Sequence, residues 1–184
     1  PAPGGRATRA RMSFARTKIQ PPRPRAAFIE RGSVQVRLTD ALLARRVVLL
    51  CAPAGYGKTT LLAHEVAQLP PQHGVAWVSA DAGDDLHRLL ECLLAALEPF
   101  DPPWRTAPEA LIAGLSRGGE ADQGTVAAEI INTLDACDLP HGVIVFDDLH
   151  RVDDPAFFRF LDRLSERMST RWTRAISSRI EPPL

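Results

Sequence analysis

The chain has 184 residues, with 22 Lys/Arg against 22 Asp/Glu and 45% hydrophobic residues, which is room for one domain with a real core. No apolar run reaches the length of a membrane span, and the basic N-terminus lacks the apolar stretch of a secretory signal. The neutral total hides an asymmetry: residues 1–31 carry eight Lys/Arg and one acid, Glu30, which leaves 14 bases and 21 acids for the rest, a poor nucleic-acid surface.

Residues 1–25 are rich in Pro, Arg and Ala without an apolar period. They read as a basic arm, disordered or extended and solvated, with Met12 a candidate natural start. Residues 26–184 read as one domain. A helical segment over Phe28–Leu43 is expected to bury Val34, Leu38 and Leu42 as a single stripe. The first strand is Val47–Cys51, and the helix after it runs from Lys58 to Gln68, stopped by Pro70 and Pro71. Val75–Ser79 is the second strand, with Trp77 in the core and Asp81 just past its end. Leu86, Leu89, Leu90, Leu93, Leu94 and Leu97 then mark one face of an amphipathic helix. A weaker helix over Glu109–Leu115 and a gap rich in Gly, Glu and Asp lead to a helix over Thr125–Ala136. The third strand, Val143–Phe146, runs into Asp147 and Asp148. Helix Pro155–Met168 and a last strand, Trp172–Ser177, precede Ser178 and Arg179. Strands alternating with helices predict an α/β fold with a parallel sheet covered on both faces. The cysteines, Cys51, Cys92 and Cys137, are odd in number and fit no zinc or disulfide spacing, so they read as buried free thiols in a reducing cytoplasm.

The stretch Val47 to Thr60, VVLLCAPAGYGKTT, carries the chemistry. A strand, a Gly/Pro-broken turn and a helix start follow in the order needed to hold a polyphosphate. The candidate cradle comprises Pro53, Ala54, Gly55, Tyr56, Gly57, Lys58, Thr59 and Thr60. Its main-chain N–H groups from about Gly55 onward converge on phosphate oxygens. Lys58 would reach the β- and γ-phosphates, and the Thr59 hydroxyl would hold Mg²⁺. Ala52 stands where the usual GxxxxGK[ST] pattern has its first Gly, and Ala tolerates φ < 0 there but not φ > 0. The competing reading is an ordinary strand-to-helix turn.

A phosphate loop also needs an acid near the metal and a group to orient water. Asp147 is placed for the first role and Asp148 for the second, as general base; a helix N-cap pair is the alternative. Arg179, at the end of the last strand, is a candidate γ-phosphate sensor or a solvated surface Arg beside Arg167, Arg171 and Arg174. His150 reads as a capping or surface residue. The loop, Asp81, Asp147–Asp148 and Arg179 all fall at strand carboxyl ends, where ligands of such sheets bind.

APAGYGKTTLL, VAWVSADAGDD, VIVFDDLHRVDDP and SSRIEPPL, with the lead-in TKIQPPRPR and IERGSV, resemble the nucleotide-binding module of STAND-class ATPases, in particular the MalT-like, LuxR-type large regulators. The resemblance covers roughly Thr17 to Leu184, and Ala52 is itself usual for the group. It implies a three-layer, ASCE-type P-loop NTPase with strand order 5-1-4-3-2. It implies ATP or ADP with Mg²⁺ as ligands, Asp147 as metal acid, Asp148 as catalytic acid, Arg179 as sensor, Lys58 and Thr59 on phosphate and metal, and Arg31 near the adenine. Members are slow cytoplasmic switches that self-associate with ATP and inducer and touch DNA only through a distant helix-turn-helix domain; no membrane is involved. The sequence stops at Leu184, so the sheet is expected to lack its fifth strand, to leave strand 1 at an edge and to bind nucleotide weakly. A non-catalytic nucleotide-binding interaction module, or the sensor region of a kinase-linked relative, are the alternatives.

Overall fold

The computed structural model describes residues 14–23, 32–115 and 120–183. Its centre is β3, Gly142–Asp147, with the sequence GVIVFD, in which every residue is buried. Such a β-branched, uninterrupted apolar run is what a strand covered on both faces requires. β1 (Val47–Cys51), β2 (Gly74–Ser79) and β4 (Trp172–Ser178) complete a parallel sheet in the order β1-β4-β3-β2, the 1-4-3-2 part of the expected order. β3 lies between β2 and β4, with Val145 opposite Trp77 and Ala175.

The helices are α1 (Gly32–Ala44), α2 (Lys58–Ala67), α3 (Leu86–Leu97), α4 (Pro108–Leu115), α5 (Glu120–Ala136) and α6 (Pro155–Arg167). They form two outer layers. Ala76, Val78, Ile144, Phe146, Trp172 and Ile176 face the larger apolar cluster, built with α3, α4, α5 and α6. Val48, Trp77, Val143, Val145 and Ala175 face α1 and α2. Trp77 is core, 1% exposed, with its indole N–H donated to Ser79 Oγ at 2.9 Å. No helix among the described residues is long and apolar enough to cross a membrane.

Polar side chains fix the helix ends and the outer layers. Asp85 caps α3 by accepting the Arg88 N–H. Asp154 caps α6 through the Ala156 N–H at 2.8 Å and also accepts the Leu86 N–H at 2.8 Å, so one carboxylate satisfies donors at two helix starts. Pro155 at the first position of α6 loses no hydrogen bond there. α1 and α2 are joined at Glu65, which is 4% exposed and accepts from Thr39 Oγ1 at 2.6 Å and Gln35 Nε2 at 3.1 Å. Burial alone would raise its pKa, but these bonds and one with His64 outweigh it and hold the carboxyl below its usual range.

Several expectations need correction. Phe14–Gln20 is docked rather than disordered: a 3-10 turn over Arg16–Ile19 buries Lys18, and Phe14 and Ile19 pack on the larger cluster. α5 begins at Glu120, five residues before the expected Thr125, taking up polar residues that read as a gap. In α1, Leu38 and Leu42 are buried but Val34 is 47% exposed, so the expected stripe is shorter. Cys92 and Cys137 are buried free thiols, and burial pushes Cys92 up to about 12, but Cys51 is exposed. Its strand, β1, is a sheet edge that also exposes Val47 and Leu49. Arg174 is not a surface residue: it is 1% exposed, its Nη2 donates to Arg46 O and, at 3.4 Å, to Ser165 O near the C-terminal end of α6, and burial lowers its pKa to about 10.

Candidate nucleotide-binding site

The turn after β1 keeps the conformation its glycines allow. Gly55 and Gly57 have φ of 82° and 75°, in the left-handed region, and nothing lies within 4 Å of where a Cβ on Gly55 would stand. Gly57 is the N-cap of α2 without a side-chain cap. The first helical bond of α2 runs from the Leu61 N–H to Gly57 O at 2.8 Å, so the N–H groups of Gly57, Lys58, Thr59 and Thr60 lack helical acceptors, as at any helix start. Pro53, Ala54, Gly55 and Tyr56 are exposed. An open loop of left-handed glycines leading into bare helix N–H groups fits an anionic phosphate.

Lys58 folds back over this loop. Its Nζ donates to Ala52 O at 2.6 Å and to Pro53 O at 3.1 Å, which keeps the ammonium beside the cradle. Thr59 Oγ1 donates to Asp147 Oδ1 at 2.9 Å, across 88 residues of chain. That bond brings the helix start after the loop and the end of β3 into one site. Asp147 is 4% exposed, and burial raises its pKa; the bonds from Ser177 and Thr59 lower it, and the neighbouring Asp148 charge raises it again. A buried carboxylate whose charged form is disfavoured suits a site for a divalent cation, and Thr59 Oγ1 and Asp147 Oδ1 are hard oxygen donors of the kind Mg²⁺ takes.

Ser177 was not singled out from the sequence. Its hydroxyl donates to Asp147 Oδ1 and accepts the Asp148 N–H at 3.0 Å. Its only sequence signal is a Ser at the end of the expected last strand, and it is fully buried there. Asp148 leaves β3 with φ 57° and ψ 36° and caps a 3-10 turn over Leu149–Arg151 through its position rather than its side chain. The His150 side chain, read as a capping or surface residue, is 12% exposed. Burial lowers its pKa, Asp148 raises it, and the charges of Arg179, Arg151 and Lys58 lower it. Arg179 itself is exposed at the bend after β4. Arg31 lies outside the described residues. Asp81 lies just past the end of β2 and accepts a hydrogen bond from Lys18 Nζ at 2.7 Å.

Residues 27–176 match the AAA ATPase domain. The chain belongs to this family. It is 33% identical over 144 residues to the serine/threonine-protein kinase PknK of Mycobacterium tuberculosis, covering 75% of this chain and 12% of that protein. It is 28% identical over 140 residues to the HTH-type transcriptional regulator MalT of Klebsiella pneumoniae, 76% of this chain and 15% of the regulator. With MalT of Vibrio cholerae it shares 28% identity over 167 residues, 87% of this chain and 17% of that protein. The chain thus spans between about an eighth and a sixth of these relatives. The Walker-type ATPase PABY2304 of Pyrococcus abyssi shares the fold, with a TM-score of 0.53 and 12% identity over 86% of this chain and 47% of that one. The module is a P-loop ATPase domain, similar in sequence to a segment of MalT.

Proposed function

We propose that this domain is an ATP-binding, slowly hydrolysing switch module of a cytoplasmic, STAND-class transcriptional regulator. The observation that supports the reading is the Thr59–Asp147 bond, because it joins the helix start after the loop, where Lys58 also lies, to the strand end that carries Asp147 and Asp148. In this reading the loop N–H groups and Lys58 hold the phosphates, and Thr59 and Asp147 hold the cation. When bound, Mg²⁺ supplies charge neutralisation at the phosphate oxygens. Asp148 accepts the proton of the attacking water, and Lys58 and Arg179 stabilise negative charge developing on the γ-phosphoryl oxygens. Arg31 is assigned to the adenine side. DNA contact through a further domain is supported by the likeness to MalT, an HTH-type transcriptional regulator by name, and nucleotide-dependent self-association belongs to the same proposal.

A second reading is supported by the likeness to PknK: the same module would serve beside a protein kinase. A third, a non-catalytic module with nucleotide as structural ligand, differs only in turnover. The test is Lys58→Ala against Asp148→Asn, with ADP binding and phosphate release both measured. Lys58→Ala is expected to abolish binding; Asp148→Asn is expected to keep binding and stop release. Retained phosphate release in both variants sinks the assignment, and binding without any release in the parent favours the non-catalytic module.

A further inference from the structure

Arg151 joins two acids that come from different strand ends. Its Nε lies 3.6 Å from Asp148 Oδ2, and its Nη1 lies 3.9 Å from Asp81 Oδ1. The main chain of Asp148 is fixed by its N–H on Ser177 Oγ. Its carboxylate is held more loosely, flanked by Arg151 and by His150 Nδ1 at 3.9 Å from Oδ1. Asp81 is anchored from the other side. Lys18 Nζ donates to Asp81 Oδ2 at 2.7 Å and to Asp84 Oδ2 at 2.6 Å, and Asp84 Oδ2 also accepts the Asp81 N–H at 2.7 Å. Lys18 is 8% exposed on the docked Phe14–Gln20 segment. Burial works against its charge, but the two carboxylates more than restore it and leave its pKa raised.

We propose that Arg151 is a positioning residue for Asp148, and that Lys18, by fixing Asp81, extends that hold to the Phe14–Gln20 segment. The inference rests on the hydrolytic reading above and deepens it. A general base works only when its carboxylate is held within a narrow range of the attacked water, and misplacement far from the chemistry is costly in rate. Here Ser177 sets the backbone, and Arg151 sets the carboxylate. The two halves of the chain of contacts differ in strength. Lys18 makes short, partly buried bonds, whereas Asp81 is 64% and Arg151 41% exposed, so the link between them is solvent-screened. The rate effect is therefore modest. An exposed pair of this kind corresponds to about a threefold to fivefold change in rate.

The experiment measures phosphate release at saturating ATP and ADP affinity for the parent, Arg151→Ala, Arg151→Lys and Lys18→Met. Arg151→Ala is expected to lower kcat about threefold to fivefold with ADP affinity unchanged, and Arg151→Lys to recover part of it. Lys18→Met is expected to lower kcat by a smaller factor; Asp81→Asn takes its place if that variant does not fold. An unchanged kcat in Arg151→Ala, or equal losses of kcat and affinity, overturns the proposal. If the parent itself releases no phosphate, the hydrolytic reading fails, and the link is judged from ¹H–¹⁵N spectra without nucleotide. There the Asp148 amide moves in both Arg151→Ala and Lys18→Met if the contacts are coupled; an unmoved amide in either variant overturns the inference.

Discussion

The body of the sheet and its carboxyl-end edge are built on opposite principles. In the body, Val143, Ile144 and Val145 are fully buried between two apolar layers. At the edge, a few residues farther along the same strands, Asp147 is buried with its charged form disfavoured, Asp148 and two loop glycines sit in the left-handed region, and Lys58 rests on main-chain carbonyls. The body supplies stability, and the edge carries conformational and electrostatic cost that a bound anion and cation would relieve. Substitutions should therefore separate the two properties.

The largest effect is expected from Ile144→Ala in the body. It should cost about 2–5 kcal/mol in urea unfolding while leaving the nucleotide affinity of the folded fraction unchanged; lost affinity with little lost stability would break the contrast. Next comes Asp147→Asn at the edge. Burial holds the folded-state pKa of Asp147 above its unfolded value, so the wild type loses stability as pH rises from the ordinary Asp range through that raised value. The variant should melt higher than wild type at neutral pH without ligand and lack that pH dependence. A lower melting temperature would mean that the carboxylate stabilises the fold. Glu65→Gln samples the opposite sign. Because the Glu65 pKa is lowered, its contribution is present above the ordinary Glu range and is lost as pH falls through the lowered value. The variant should be less stable by about 1 kcal/mol at neutral pH, and the gap should close on acidification. The smallest effect is expected for Leu49→Ala, on edge strand β1 and 40% exposed, within about 0.5 kcal/mol.

Local pattern made most of the body legible. The leucines of α3 and the apolar face of α6 repeat at helical spacing, and VIVFD reads as a buried strand ending in an acid. The loop and its partner acid were legible by their order along the chain, and the strand order came from family resemblance. What stayed hidden depends on contacts between distant segments. Lys18 lies in a stretch whose Pro and Arg content suggests a solvated arm, and only Asp81 and Asp84, more than 60 residues away, explain its burial. Arg174 looks like a surface charge until Arg46 and the carbonyls near the end of α6 are placed beside it. Ser177 becomes part of the site only through the pairing of β4 with β3. The early start of α5 was masked by Asp122 and Gly124, poor helix formers that nonetheless lie within the helix.

In the proposed function Lys58 and Asp147 serve one ligand, the first through phosphate and the second through the cation. ADP binding measured with and without Mg²⁺ in wild type, Lys58→Ala and Asp147→Asn tests it most directly. Lys58→Ala should lose binding in both conditions, and Asp147→Asn should keep the metal-free affinity while losing the increment that Mg²⁺ gives the wild type. An undiminished Mg²⁺ increment in Asp147→Asn, together with intact binding in Lys58→Ala, would mean that the two side chains share no ligand.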